Sequence, residues 1–346
     1  MSDASAQDDA VATLRRIAFL LERAQATSYR SGAFRTAAAA VEATEPTELA
    51  RLVEDDRVAD LPGVGRRTAE VVVQRWRGQE VDYLTRLEEQ SAGGSGGDSP
   101  GAALRSALRG DLHSHTDASD GGSPLQEMVL AALEIGHEYL VVTDHSPRLT
   151  VANGLSPARL RRQIDQIRAL NEAVAPFRVL TGIEVDILDD GSLDQEPELL
   201  AQLDVVVGSV HSKLRMDSAA MTSRMLTAVA NPHLDVLGHC TGRRLLGGRP
   251  RPPSEFDHER VFAASAVNGV AVEINSRPDR RDPPHVLLQA AIDAGCVFAV
   301  DSDAHAPGQL DWQITGCERA AEHDLPAERV VNTWPVDRLL AWAAGS

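Results

Sequence analysis

Residues 110–122 read Gly-Asp-Leu-His113-Ser-His115-Thr-Asp-Ala-Ser-Asp120-Gly-Gly. Side chains on a strand alternate between faces, so a His-x-His pair sends both imidazoles the same way. Asp120 follows five residues after His115, in a glycine-rich turn that lets the chain double back. Two imidazoles and a carboxylate converging at a strand end suit a borderline-soft divalent ion such as zinc, manganese or iron. Alone, such a pair fits a structural or surface role equally well. It gains weight because the pattern returns downstream.

Six further apolar runs end in comparable residues: Asp144-His145, Glu184, His211, His239, Glu273-Ile-Asn275, and Asp301-Ser-Asp303-Ala-His305. Six of the eleven histidines thus stand at strand ends. A satisfied core histidine is the ordinary reading of any one of them, but not of six accompanied by carboxylates. His137, His233, His258, His285 and His323 fall in helical or loop stretches and read as solvated residues.

The elements that must position these side chains alternate. The β-rich runs end near 113, 144, 184, 210, 239, 273 and 301, with helical segments at 124–135, 157–173, 219–230, 257–267 and 285–294. Such repetition implies parallel strands with right-handed crossovers. Seven units suit a barrel better than an open sheet, and in a β/α barrel the carboxyl ends of the strands share one face.

Residues 1–90 read instead as helical, with helices expected at 11–25, 33–43, 47–54 and 68–77. Leu61-Pro-Gly63-Val-Gly65-Arg66-Arg67 runs into the last of them and resembles a helix-hairpin-helix. There Gly63 and Gly65 would bring backbone N–H groups at a helix start close to a DNA phosphate, with Arg66 and Arg67 adding charge. The plainer alternative is a tight turn between packed helices, and the segment is slightly acidic, 12 Arg against 16 Asp plus Glu. Residues 91–103, rich in Gly and Ser, read as a flexible linker whose ends would lie roughly 20 Å apart. The second domain is therefore expected over 104–346.

Composition sets limits. The net charge of −17 argues against a uniformly basic nucleic-acid surface, and metal ligands account for only part of it. Cys240, Cys296 and Cys317 form no Cys-x-x-Cys pair, which points to a reducing, cytoplasmic setting without a disulfide frame. The amino terminus lacks the pattern of a secretory signal, and no apolar run approaches a membrane span. Lys213 is the only lysine, against 33 arginines.

HSHTDASDG, VVTDH, TGIEVDI, GSVHS, GHCTGR, VEINSRPDR, DSDAH and VVNTWP together resemble the PHP (polymerase and histidinol phosphatase) superfamily. They are most similar to the PHP domain of bacterial family X DNA polymerases. FRTAAAAVEA and LPGVGRRTAEVV resemble the amino-terminal helical domain of the same polymerases. The resemblance implies an α/β fold, a distorted (β/α)7 TIM-like barrel preceded by a small all-α domain. It also implies a cluster of up to three metal ions. Carried over motif by motif, the expected ligands are His113, His115, Asp120, His145, Glu184, His211, His239, Asp303 and His305, with Glu184 bridging. Asp120 is the polymerase-like choice at a position that is often His in the phosphatases, and Cys240 replaces a usual Pro. No palm domain lies between the two halves, so DNA synthesis is not expected. Schiff-base lyase chemistry is not expected either, because the helical half has no lysine.

Such a cluster lowers the pKa of a bound water and neutralises charge on phosphoryl oxygens, so phosphate ester hydrolysis by a metal-bridged hydroxide is expected. Lys213 and Arg243 follow the ligands His211 and His239 closely and are candidates to bind the non-bridging oxygens. For Arg243 a surface salt bridge is the alternative. Asp144, beside His145, is a candidate to orient a ligand imidazole. Glu273 and Asp301 read as hydrogen-bonding residues of the barrel layers. Three functional readings follow. The first is DNA end-processing: 3'-5' exonuclease, 3'-phosphatase or abasic-site endonuclease. The second is a small-molecule phosphatase of the histidinol phosphatase type. The third is a non-catalytic DNA-binding protein with structural metals, which a nine-donor set does not favour, since a structural site needs only four closed ligands.

Overall fold

The structure is a computed structural model that describes residues 2–92, 99–246 and 249–345. The chain divides into two compact units at Gly97 and Asp98. Residues 93–98 of the expected linker lie outside the described residues. Helices Asp82–Ala92 and Ala102–Ala107 extend into the rest of it. Gly101 is packed, because a Cβ there would stand 2.4 Å from the Glu318 backbone nitrogen. The second unit therefore begins before residue 104.

Among the described residues five α-helices build the first unit: Asp3–Arg23, Ser28–Glu42, Pro46–Glu54, Arg66–Trp76 and Asp82–Ala92. Leu14, Ile17 and Leu21 of the first recur at helical spacing and meet Phe34, Ala38 and Val41 of the second and Val72 of the fourth. The first helix begins earlier than its apolar stripe suggests. Ser2 caps it, accepting from the Ser5 N–H.

The second unit is a ring of seven parallel strands in sequential order. They are β1 (Gly110–Asp111), β2 (Tyr139–Val142), β3 (Arg178–Asp186), β4 (Val205–Ser209), β5 (Val236–Leu237), β6 (Ala271–Asn275) and β7 (Phe298–Asp301). The two-residue period explains how one strand serves both core and site. On one face, Tyr139, Val141, Leu180, Val205, Val207, Ala271 and Ala299 form a core closed by Trp334 and Leu339 from the carboxyl-terminal segment. Further along the same period come His145, Glu184, His211, Glu273, Asp301 and Asp303. The alternate positions, among them Ile183, Val185, Val206, Val272, Ile274 and Val300, pack in the layer with the helices.

Between β7 and β1 the ring is closed by side chains more than by strand pairing. A single bridge joins Ser114 to Ala304. Asp301 accepts from the Leu112 N–H at 2.9 Å, and Asp111 from the Ser302 N–H at 3.2 Å. Asn332 accepts from the Val300 N–H (2.7 Å) and donates to the Gly110 carbonyl (3.2 Å) and to Asp301 (2.8 Å). Gln313 donates to the carbonyls of Gly110 and Val300. Among the described residues no helix is long and apolar enough to cross a membrane.

Asp235 precedes β5 and accepts from the Val206 N–H at 2.7 Å. Burial pushes its carboxyl up to about 7. Between the ordinary carboxylate range and 7 the folded chain keeps a proton that the unfolded chain has released. Stability therefore falls as pH rises through that window and levels off above it. The full shift corresponds to at most about 4 kcal/mol, and to less where water still reaches the group. Asp235→Asn keeps an acceptor and does not titrate. Its melting temperature should exceed the parent's by a margin that widens from pH 5 to pH 8, and an unchanged margin would place the proton elsewhere.

Candidate metal centre

At the carboxyl ends of the strands, five imidazoles surround one carboxylate. Glu184, near the end of β3, has His145 Nδ1 at 2.8 Å, His239 Nε2 at 2.9 Å, His113 Nε2 and His211 Nε2 each at 3.3 Å, and His115 Nε2 at 3.6 Å. His115 also faces Asp303 at 3.5 Å, and His145 and His305 each face Asp120 at 3.5 Å. All nine residues expected from the sequence fall into four overlapping groups: His115, Asp120, His145 and His305; His113, Glu184 and His239; His113, His115 and Asp303; His145, Glu184 and His211. Within each group one donor atom per residue lies within 4.8 Å of the others.

Local backbone helps to aim them. His239 has φ +20° and Asp303 φ +50°, conformations that non-glycine residues adopt sparingly and that cluster at functional sites. On β5 the inward positions are even-numbered, so the turn at His239 brings an odd-numbered side chain to the centre.

The donors fit divalent cations. His113 Nε2, both ring nitrogens of His115 and of His211, and Glu184 Oε2 are buried without a hydrogen-bond partner, an arrangement that buried polar atoms avoid unless another group binds them. Burial alone would raise the Glu184 carboxyl, but His145, His113 and His211 outweigh it and hold the group well below the usual carboxylate range. Burial is also outweighed at His113, which Glu273 and Glu184 raise, and at His211, raised to about 9 by Glu184 and Asp186. His115 goes the other way: burial, then His305 and His145, push it well below the ordinary imidazole range.

Residues 111–277 match the PHP domain family, and residues 5–80 match the helix-hairpin-helix domain family. A probable phosphatase of Serratia proteamaculans (strain 568) is 30% identical over 236 residues, 65% of this chain and 90% of that protein. The chain belongs to the PHP family. The DNA polymerase/3'-5' exonuclease PolX of Bacillus subtilis (strain 168) is 37% identical over 225 residues, 65% of this chain. This chain spans only 39% of that protein's length. Histidinol phosphate phosphatase of Lactococcus lactis, solved with zinc, L-histidinol and phosphate, matches with a TM-score of 0.45 at 18% identity, over 63% of this chain and 94% of that one.

Other candidates find different partners in the PHP unit. Lys213 is largely exposed, and its ammonium pairs with Asp189 instead of facing the imidazoles. Arg243 donates to the carbonyls of Arg280 (3.0 Å from Nε) and Arg281, so its guanidinium is spent on backbone. Asp144 orients no imidazole. It accepts from the Thr116 N–H and hydroxyl, the Ser119 hydroxyl and the Gln163 amide, and so braces the loop that leads to Asp120. His137, expected to be solvated, is buried, and burial with the nearby Arg105 charge takes it down to about 3.

The cations that do reach the PHP cluster are Arg277 and Arg280, from the loop after β6. Arg280 Nε lies 3.3 Å from Asp303 Oδ2, and Arg277 Nη1 lies 3.5 Å from Asp303 Oδ1. Both stand in VEINSRPDR, just past a strand end, as do His145, His211, His239, Asp303 and His305. The imidazole-orienting role belongs to Glu273. Its Oε1 is 2.6 Å from His113 Nδ1, and its other oxygen accepts from the His239 N–H and the Asn275 amide. A carboxylate on Nδ1 fixes the ring tautomer and leaves Nε2 for the centre. Glu273→Gln should lower metal affinity or activity about 10–100-fold with little change in fold. Equilibrium dialysis followed by metal analysis would read it, and undiminished affinity would remove Glu273 from the site.

In the helical unit, Gly63 takes φ +83°, with Thr36 so close that a Cβ would meet its Cγ2 at 2.6 Å. Gly65 sits at the amino end of helix Arg66–Trp76, and its N–H is held by Thr68 Oγ1 at 3.0 Å. Arg66 is exposed beside Glu70, and the Arg67 guanidinium lies 4.8 Å from the Tyr83 ring centroid. The turn into this helix forms as expected and both arginines face solvent, but the Gly65 N–H expected to meet a phosphate is taken by Thr68.

Proposed function

We propose that the protein hydrolyses phosphate esters with a cluster of up to three divalent ions, zinc, manganese or iron, and that its substrate is DNA, processed from an end. The enclosure of Glu184 by five imidazoles carries this reading. Bound among His113, His115, Asp120, His145, Glu184, His211, His239, Asp303 and His305, such ions would activate a water and neutralise charge developing on the phosphoryl group. Glu184 would bridge them. Glu273 and the Asp303 carbonyl hold the imidazoles of His113 and His305 in place, and Asp186 approaches His211 at 3.5 Å. Arg277 and Arg280 supply fixed positive charge for the non-bridging oxygens, at no cost in reorganisation.

The helix-hairpin-helix match and the PolX relative support DNA over a monoester. The activity is 3'-5' exonuclease, 3'-phosphatase or abasic-site endonuclease, and a panel of end-labelled oligonucleotides separates the three. A small-molecule phosphatase is the second reading. It is favoured by a cavity of about 560 Å³ beside the centre, lined by Arg148, Asp186, Asp189, Asp190, Ser212 and Lys213. The test sets labelled oligonucleotides against histidinol phosphate with the manganese- or zinc-loaded protein. Shortening or nicking of the oligonucleotides is expected. Turnover of histidinol phosphate alone would overturn the DNA reading, and turnover of neither would overturn the phosphoesterase reading.

A further inference from the structure

The chain carries a net charge of −17, yet segments 243–251 and 277–282 hold seven arginines against Asp279 and Asp282. The structure brings these segments together. Arg244 and Arg251 pair as an antiparallel bridge, each N–H donating to the other's carbonyl at 2.9 Å. The arm beyond Arg244 is tied to the second segment by the Leu245 N–H, which donates to the Asp279 carbonyl at 2.7 Å. Arg243 binds the same segment through the carbonyls of Arg280 and Arg281. Arg280 in turn reaches Asp303 at the metal centre.

Like charges are packed here against expectation. Arg251 is lowered by burial and then by the neighbouring charges of Arg280 and Arg244. Arg244 meets the Asp279 carboxylate only at 3.5 Å, and its Nε is buried without a hydrogen-bond partner. Arg249 is exposed on the same arm pair, as are Leu245 and Leu246. Crowded guanidiniums with so few carboxylates call for an external polyanion.

We propose that Arg244, Arg249 and Arg251 form a track for the phosphodiester backbone of a single DNA strand, leading from solvent to Arg280 and the centre. The track rests on the phosphoesterase reading above and names its substrate class. A monoester has one phosphate, which Arg277 and Arg280 already serve. A strand places further phosphates outside the centre, where these arginines stand, and the exposed leucines offer apolar contact to bases.

The test compares the full chain with a triple variant, Arg244→Gln, Arg249→Gln and Arg251→Gln, and with the corresponding triple Lys variant. Binding of a fluorescent, phosphorothioate-blocked oligonucleotide is read by anisotropy over a salt series. Turnover of bis(p-nitrophenyl) phosphate by the manganese-loaded protein is read in parallel. The Gln variant should bind the oligonucleotide about 10–100-fold more weakly, with a shallower salt slope. The Lys variant should recover most of that loss, and turnover of the chromogenic diester should stay within about twofold. Unchanged affinity would overturn the track. So would an equal fall in chromogenic turnover, because the arms would then be supporting the centre and not a strand. A parent that binds the strand through these arginines but never cleaves it would refute the nuclease reading and leave the track standing.

Discussion

Replacing Glu184 with Gln should abolish phosphoesterase activity, by about 10³-fold or more, and strip the protein of most of its bound metal. The change is nearly isosteric, so packing around β3 is preserved and only the charge is lost. Five imidazoles approach this carboxylate within 3.6 Å, and two of the four donor groups include it. An amide offers one neutral oxygen where two ions would each need a share of negative charge. Metal analysis after dialysis, beside turnover of a chromogenic ester, would show the loss. A Glu184→Gln protein that kept its full metal content and rate would refute the centre as described.

The second large effect concerns which cations serve the substrate. Arg280→Met should lower kcat/KM by about 10²–10³-fold, the size expected when a fixed donor to a developing oxyanion is removed. Lys213→Ala should change it little. Arg280 is nearly buried and reaches Asp303, whereas the Lys213 ammonium is largely exposed and paired with Asp189. Reversal of these two outcomes would return the oxygen-binding role to Lys213.

The repeating placement of His, Asp and Glu at the ends of apolar runs was enough to read a barrel with one chemical face, and the motifs shared with the PHP family singled out the nine residues that converge there. The shared face follows from physics, since parallel strands of one ring must present their carboxyl ends together. The supporting residues were less legible. Asp144 stands next to His145 in the chain, but successive side chains on a strand point apart, so it serves the loop of Thr116 and Ser119 instead. Glu273 reaches His113 across 160 positions, a distance no local pattern reveals. Lys213 stood out by its rarity, but rarity says nothing about direction, and a residue at φ +52° leaves the strand's alternation altogether. Arg277 and Arg280 obeyed the strand-end rule and were legible in principle.

The side-chain closure between β7 and β1 has a consequence for the order in which the centre is completed during synthesis. His113 emerges early and Asp303 late, but the ends of the ring are fastened by Asn332, which follows Asp303 by 29 positions. At about 5–20 residues per second, a nascent chain would hold every donor for some seconds before the clasp arrives. The donors would therefore all be in place before the two ends of the ring are fastened to one another.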